Sequence, residues 1–148
     1  MLKGRIAEAI VEEMLKEAGF QVYRYGYESV IQNLAQSNAQ LRRTKKGRKI
    51  LSMPDFIVIK NGFAEFIEVK FRSNNPEHTN EDFKDLAETW PEAKILFVCK
   101  DEPYFRIANV LDFVQKNYLF PLEKDKYMGV EENIIKKYAK QVIASYGV

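Results

Sequence analysis

The chain has 148 residues, 46% of them hydrophobic and 30% charged, with a formal net charge of +2. That length and apolar content suit one domain with a packed core and exclude a largely disordered chain. A single cysteine (Cys99) and a single histidine (His78) exclude an intrachain disulfide and any metal site built on several thiolates or imidazoles, so a bound metal must be held by oxygen, as magnesium and manganese are.

In chain order, the apolar spacing predicts an amphipathic helix over Ile6–Ala18, with Ile6, Ile10, Val11, Met14, Leu15 and Ala18 on one arc and Gly19 as the stop. Glu8 falls at the edge of that arc, near the core boundary. Gln21–Tyr25 reads as a strand and Ser29–Ala35 as a short helix. Gln36–Lys49 reads as a flexible polar loop that turns strongly basic. Its segment Arg42-Arg43-Thr44-Lys45-Lys46-Gly47-Arg48-Lys49 holds six positive charges and no acid, which leaves the rest of the chain at a net −4. That asymmetry points to a local anionic partner.

Asp55–Ile59 is an apolar run behind one acid, the pattern of a central strand, and Phe63–Phe71 is its partner. Between them lies Lys60-Asn61-Gly62-Phe63, where Asn-Gly predicts a two-residue type I′ turn. Such a turn fixes the register: Lys60 faces Phe63, Ile59 faces Ala64 and, further out, Asp55 faces Glu68. Opposed like charges destabilise a strand pair, so two carboxylates there call for a cation or a shared proton. Lys70 and Arg72 follow Glu68 on the same face.

Thr79–Thr89 is expected to be a helix capped by Thr79 or Asn80 and ended by Pro91; Ile95–Cys99 a buried strand that takes the cysteine into the core; Tyr104–Ile107 a short edge strand; and Asn109–Asn117 a helix. Glu131–Tyr146 is a second amphipathic helix, with Ile134, Ile135, Tyr138, Val142, Ile143 and Tyr146 on one side, suited to core packing or to a homodimer contact. The order of elements gives an α/β fold, a central mixed sheet with helices against it. No apolar run is long enough for a membrane span and the N-terminus lacks a signal-peptide core, so the expectation is a soluble, cytoplasmic protein.

Pro54-Asp55 followed by Glu68-Val69-Lys70, in that order of elements, resembles the PD-(D/E)XK nuclease superfamily with its restriction-endonuclease-like αβββαβ core. Gly4 and Glu8 match the Gly-x-x-x-Glu start of archaeal Holliday-junction-resolvase-type members. The resemblance covers Gly4 to about Cys99, within a single domain spanning 1–148, and leaves about 101–148 as a C-terminal helical addition. It implies a Mg2+- or Mn2+-dependent endonuclease that hydrolyses DNA, structure-specific on junction or branched DNA. Asp55 and Glu68 would bind the metal with the Val69 carbonyl, Glu8 would hold a ligand water or a second ion, and Lys70 would act on the water and the phosphate. Arg42, Arg43, Lys45, Lys46, Arg48, Lys49 and Arg72 are the nucleic-acid-binding candidates.

Each residue taken singly has a plainer reading. Asp55 could cap its strand, Glu68 and Lys70 could be a surface pair, Glu8 a solvated helix face, Arg72 a solvated strand end, and Tyr23, Tyr25 and Tyr27 sheet residues rather than base-stacking platforms. The alternative for the whole chain is a catalytically silent nucleic-acid-binding or assembly module on the same fold. No Gln-x-x-x-Tyr follows Lys70, so the likeness to RecB-type exonucleases stops at the core.

Overall fold

The computed structural model describes residues 2–25, 40, 43–76 and 79–147. The expected helix at Ser29–Ala35, together with Tyr27, Arg42 and His78, lies outside them. The described elements are α1 (Leu2–Glu17), β1 (Gln21–Arg24), α2 (Lys45–Leu51), β2 (Phe56–Lys60), β3 (Phe63–Arg72), a 3-10 turn (Asn80–Phe83) running into α3 (Lys84–Thr89), β4 (Lys94–Cys99), β5 (Phe105–Asn109), α4 (Val110–Lys116), β6 (Phe120–Pro121), a 3-10 turn (Leu122–Lys124) and α5 (Glu132–Tyr146).

The strands form one sheet in the order β1-β2-β3-β4-β5-β6. Neighbours are antiparallel except β3 and β4, which run parallel and are joined by the crossover through α3. This is the mixed α/β layer that the element order implies. Tyr104–Ile107 was expected at an edge; the strand there, β5, is interior, because Phe120 and Pro121 pair outside it. Two residues around a proline carry too little pattern to reveal β6, and proline suits an edge position.

The sheet separates two cores. On one face α1 and α5 cover Phe56, Val58, Ile67, Val69 and Leu96. On the other, α3 and α4 cover Ile95, Phe97 and Cys99, with Phe66 and Tyr25 at the margin. β4 is buried along its whole length. The chain beyond residue 100 joins the first core through Ile107, Leu122, Met128, Val130 and Ile135. The apolar side of α5, the suggested contact for a second copy, packs on α1 of the same chain, where Lys137 Nζ and Tyr138 Oη both reach Glu17 Oε1 at 2.6 and 3.0 Å. Of the six residues expected on that side, Ile143 remains exposed.

The basic segment departs from expectation. Where a flexible loop was predicted, Lys45–Leu51 is helical. Thr44 caps it, its Oγ1 accepting from the Gly47 amide at 2.9 Å. Trp90 Nε1 donates to the Lys49 carbonyl at 2.9 Å, the Lys49 ammonium lies 4.5 Å from the Trp90 ring centroid, and Ser52 Oγ meets Thr89 Oγ1 at 2.7 Å. Lysine, arginine and leucine are good helix formers, and tertiary docking supplies what so short a helix lacks alone. Thr44→Ala is expected to weaken this helix by about 1 kcal/mol. Amide hydrogen exchange should then speed up over 45–51 and stay unchanged along β3.

Candidate metal and nucleic-acid site

The turn behaves as its residues dictate. Asn61 and Gly62 have φ of +50° and +86°, the left-handed values a type I′ turn needs. The ladder runs Lys60↔Phe63, Ile59↔Ala64, Val58↔Glu65, Ile57↔Phe66 and Phe56↔Ile67. There regular pairing ends, one step before Asp55 and Glu68. Asp55 instead leaves the strand and turns its carboxylate onto β3, where Oδ2 accepts the Val69 amide at 2.8 Å. Its own carbonyl accepts the Tyr25 amide at 3.0 Å, which ties it to the end of β1.

Pro54 explains why the ladder stops. In this register it is the residue opposite Val69. The amide and carbonyl of one strand residue face the same neighbour, so both groups of Val69 face the β2 side. Proline has no N–H to give. The Val69 carbonyl therefore receives no ladder bond from Pro54, and the Val69 amide is satisfied by Asp55. The Pro-Asp dipeptide thus ends the ladder at β2, with the Asp55 carboxylate on the Val69 amide and no proline N–H for the Val69 carbonyl.

Glu68 precedes Val69 on β3. Its neighbours Ile67 and Val69 point into the α1/α5 core, so Glu68 points to the other face, with Phe66, Lys70 and Arg72. Glu68 Oε1 is shut off from solvent and has no hydrogen-bond partner. Oε2 faces the Lys70 ammonium at 3.6 Å. Burial raises the Asp55 carboxyl above its ordinary pKa, against the lowering pull of the Val69 amide. Glu68 is raised well above its ordinary value, first by burial and next by the charge of Asp55, with Lys70 offsetting part of this. Two carboxylates whose ionised forms are both disfavoured, one with an orphaned oxygen, would be stabilised in their charged forms by a cation or by a shared proton. Asp55, Glu68 and the Val69 carbonyl form a donor set fit for a hard divalent ion.

Glu8 does not join them. It sits on α1, with Oε1 3.4 Å from Arg24 Nη1, and the charge of Arg24 also bears on Asp55. Arg24 also grips Glu12 at 2.9 Å and covers the Phe56 ring. Among the described residues no group of three or more His, Cys, Asp or Glu side chains converges closely enough to hold a metal ion. Arg24 was missed from the sequence; its signal was the acid pair Glu8 and Glu12, one turn apart on α1, facing a strand arginine.

Arg72 is committed elsewhere. Its guanidinium stacks 5.5 Å from the Phe83 ring and pairs with Asp82 at 3.2 Å. The basic side chains of α2 and its approach, Arg43, Lys45, Lys46, Arg48 and Lys49, are exposed. Their helix rests on Trp90, which packs on Phe66 at 5.0 Å, and Phe66 shares the Glu68 face. The basic helix and the carboxylate pair therefore lie on one side of the sheet. Tyr25 is packed against Phe66 and Trp90, whereas Tyr23 is half exposed.

No protein-family model and no curated protein matches the chain. Among solved structures it is similar to Hjc, a Holliday junction resolvase from the archaeal hyperthermophile Archaeoglobus fulgidus, at a TM-score of 0.43 and 16% sequence identity over 88% of this chain and 97% of that one. At that level of likeness, this chain's own residues must carry any functional reading.

Proposed function

We propose that the chain is a divalent-cation-dependent endonuclease that hydrolyses DNA phosphodiester bonds. The observation that carries this reading is the pair of half-buried carboxylates, Asp55 and Glu68, beside a backbone carbonyl to which Pro54 can give no ladder bond and an ammonium at Lys70. Asp55 and Glu68 would hold the ion with the Val69 carbonyl. Once bound, a magnesium or manganese ion would neutralise charge on the phosphate and make water a better nucleophile. The Val69 amide orients Asp55. Lys70, 3.6 Å from Glu68 and partly exposed, is placed to orient water or to stabilise charge on a phosphate oxygen. Glu8 would enter only after leaving Arg24. The exposed cations of α2 would hold the DNA backbone without reading its sequence.

The test is incubation of the pure protein with junction, single-stranded and duplex DNA, with magnesium, with manganese, and with a chelator. Metal-dependent cleavage that falls on the order of 10²–10³-fold in Asp55→Asn supports the reading. No cleavage of any substrate, or equal cleavage by Asp55→Asn, overturns it; DNA binding without cleavage would leave a binding module on this fold. The basic helix makes a separate prediction. Changing Lys45, Lys46 and Arg48 together to serine should weaken DNA binding uniformly across sequences and lower the slope of log affinity against log salt by about three. An unchanged slope would remove α2 from the interface.

A further inference from the structure

A second polar site lies away from the carboxylate pair. In an open α/β sheet, ligands bind in the crevice beyond the carboxyl ends of the strands. β3 and β4, the parallel pair among the described strands, end together at Arg72 and Cys99. Beyond them is a cavity of about 100 Å³, lined among others by Ser73, Asn74, Cys99, Lys100, Asp101 and Arg106. That volume is a few times the roughly 30 Å³ share of one water, room for a tetrahedral oxyanion.

The cavity lining holds two cations, Lys100 and Arg106, and one carboxylate, Asp101. Arg106 enters from β5, and main-chain carbonyls orient it: Nε donates to Pro103 at 3.0 Å, and Nη2 to Glu102 and Asp101 at 3.3 and 3.5 Å. Carbonyl acceptors fix a guanidinium without cancelling its charge, and its Nη1 donors remain for a ligand. Among the described residues neither Lys100 nor Arg106 has a carboxylate at ion-pair distance. Burial pushes the Cys99 thiol up to about 11, so it stays neutral and adds no repulsion for an anion. Asp101, the lining carboxylate, leaves the lining at a net positive charge and turns its carbonyl to Arg106.

We propose that this pocket binds a phosphate-type oxyanion, with Lys100 and Arg106 supplying charge and Ser73 and Asn74 supplying neutral donors. The oxyanion can be free phosphate or a phosphate of a nucleic-acid backbone. Ser73 follows Glu68 by five strand steps, roughly 17 Å at strand rise, so one nucleic-acid segment could touch both places.

The probe is inorganic phosphate, titrated at constant ionic strength and followed by amide NMR. Shifts should be largest at Asn74, Lys100 and Arg106, and Lys100→Ser should weaken binding about tenfold or more, the scale of one charge-assisted hydrogen bond. Lys100 and Asn74 are exposed, so Lys100→Ser and Asn74→Ala should leave the fold intact, which the rest of the spectrum checks. Absence of saturable shifts at these residues, or identical titrations of wild type and Lys100→Ser, overturns the proposal. A second arm assigns the source: with DNA and a chelator, a salt slope lowered by about one in Lys100→Ser supports the pocket with a backbone phosphate as ligand. An unchanged slope alongside phosphate binding supports it with free phosphate. Asp55→Asn should leave the phosphate titration unaltered, so this site and the nuclease reading can fail independently.

Discussion

The Glu68→Gln protein, freed of metal, is expected to be about 0.5–2 kcal/mol more stable than wild type, to melt several degrees higher, and to cleave no DNA. Glu68 is half-buried, with one oxygen shut off from solvent and without a partner and with the Asp55 carboxylate beside it. Glutamine keeps the shape, removes the repulsion and offers an N–H to Asp55. Asp55→Ala should go the other way, because it orphans the Val69 amide that Asp55 accepts at 2.8 Å, at about 1–3 kcal/mol. Stability gained at one carboxylate and lost at its neighbour, with activity lost at both, separates a cation site from a surface ion pair. Thermal melts of the two variants beside wild type check it; equal effects would contradict it.

The same pair predicts a pH dependence. The folded-state pKa of Glu68 lies well above its ordinary 4.5, so the folded protein holds the proton more tightly than the unfolded chain. The stability this contributes is complete below the ordinary value and is lost as pH rises through the raised one. Metal-free wild type should therefore fall behind Glu68→Gln as pH climbs from acid toward neutral, and the two should converge at low pH. Parallel curves would mean that Glu68 is not held protonated by its surroundings.

The largest loss of stability is expected far from this site. Lys94 is 7% exposed and sits between Asp125 at 3.4 Å and Glu65 at 3.6 Å, with the Tyr127 ring 5.4 Å away. Asp125 Oδ1 also accepts the Tyr127 and Met128 amides at 2.9 and 3.0 Å. Asp125→Ala would strip a buried ammonium of its nearest partner and free two amides, which costs about 3–5 kcal/mol. At this chain length the melting temperature should drop by roughly 10 °C or more. Asp125→Asn, which keeps an oxygen for the amides, should cost less. A loss under about 1 kcal/mol for Asp125→Ala would show that this network does not bind the 122–130 segment to the sheet.

What the sequence revealed follows from how local each signal is. Asn61-Gly62 states its own backbone geometry, and a two-residue turn then propagates a register along the hairpin; Asp55 and Glu68 were placed near each other from two letters. The amphipathic helices α1 and α5 were legible for the same reason, since each carries its own periodicity. The basic helix was not. Lys45 to Lys49 looks like a solvated loop, and what holds it is Trp90, 41 residues away. Lys94 reads as a charge before a strand, and its partner Asp125 lies in a segment without periodicity. Glu8 was read as a possible ligand because its own helix does not reveal Arg24, which comes from the next element. The role of Pro54 needed both the register and the fact that proline cannot donate.

Calorimetric titration of the metal-free protein with manganese, in two buffers of different ionisation enthalpy, tests the carboxylate site most directly. Wild type should give saturable binding with release of a proton at mildly acidic pH, because the ion displaces what the raised carboxyls hold. Glu68→Gln should give no such binding. Equal heats from the two proteins, or binding without proton release, would contradict the assignment of Asp55 and Glu68 as a cation site.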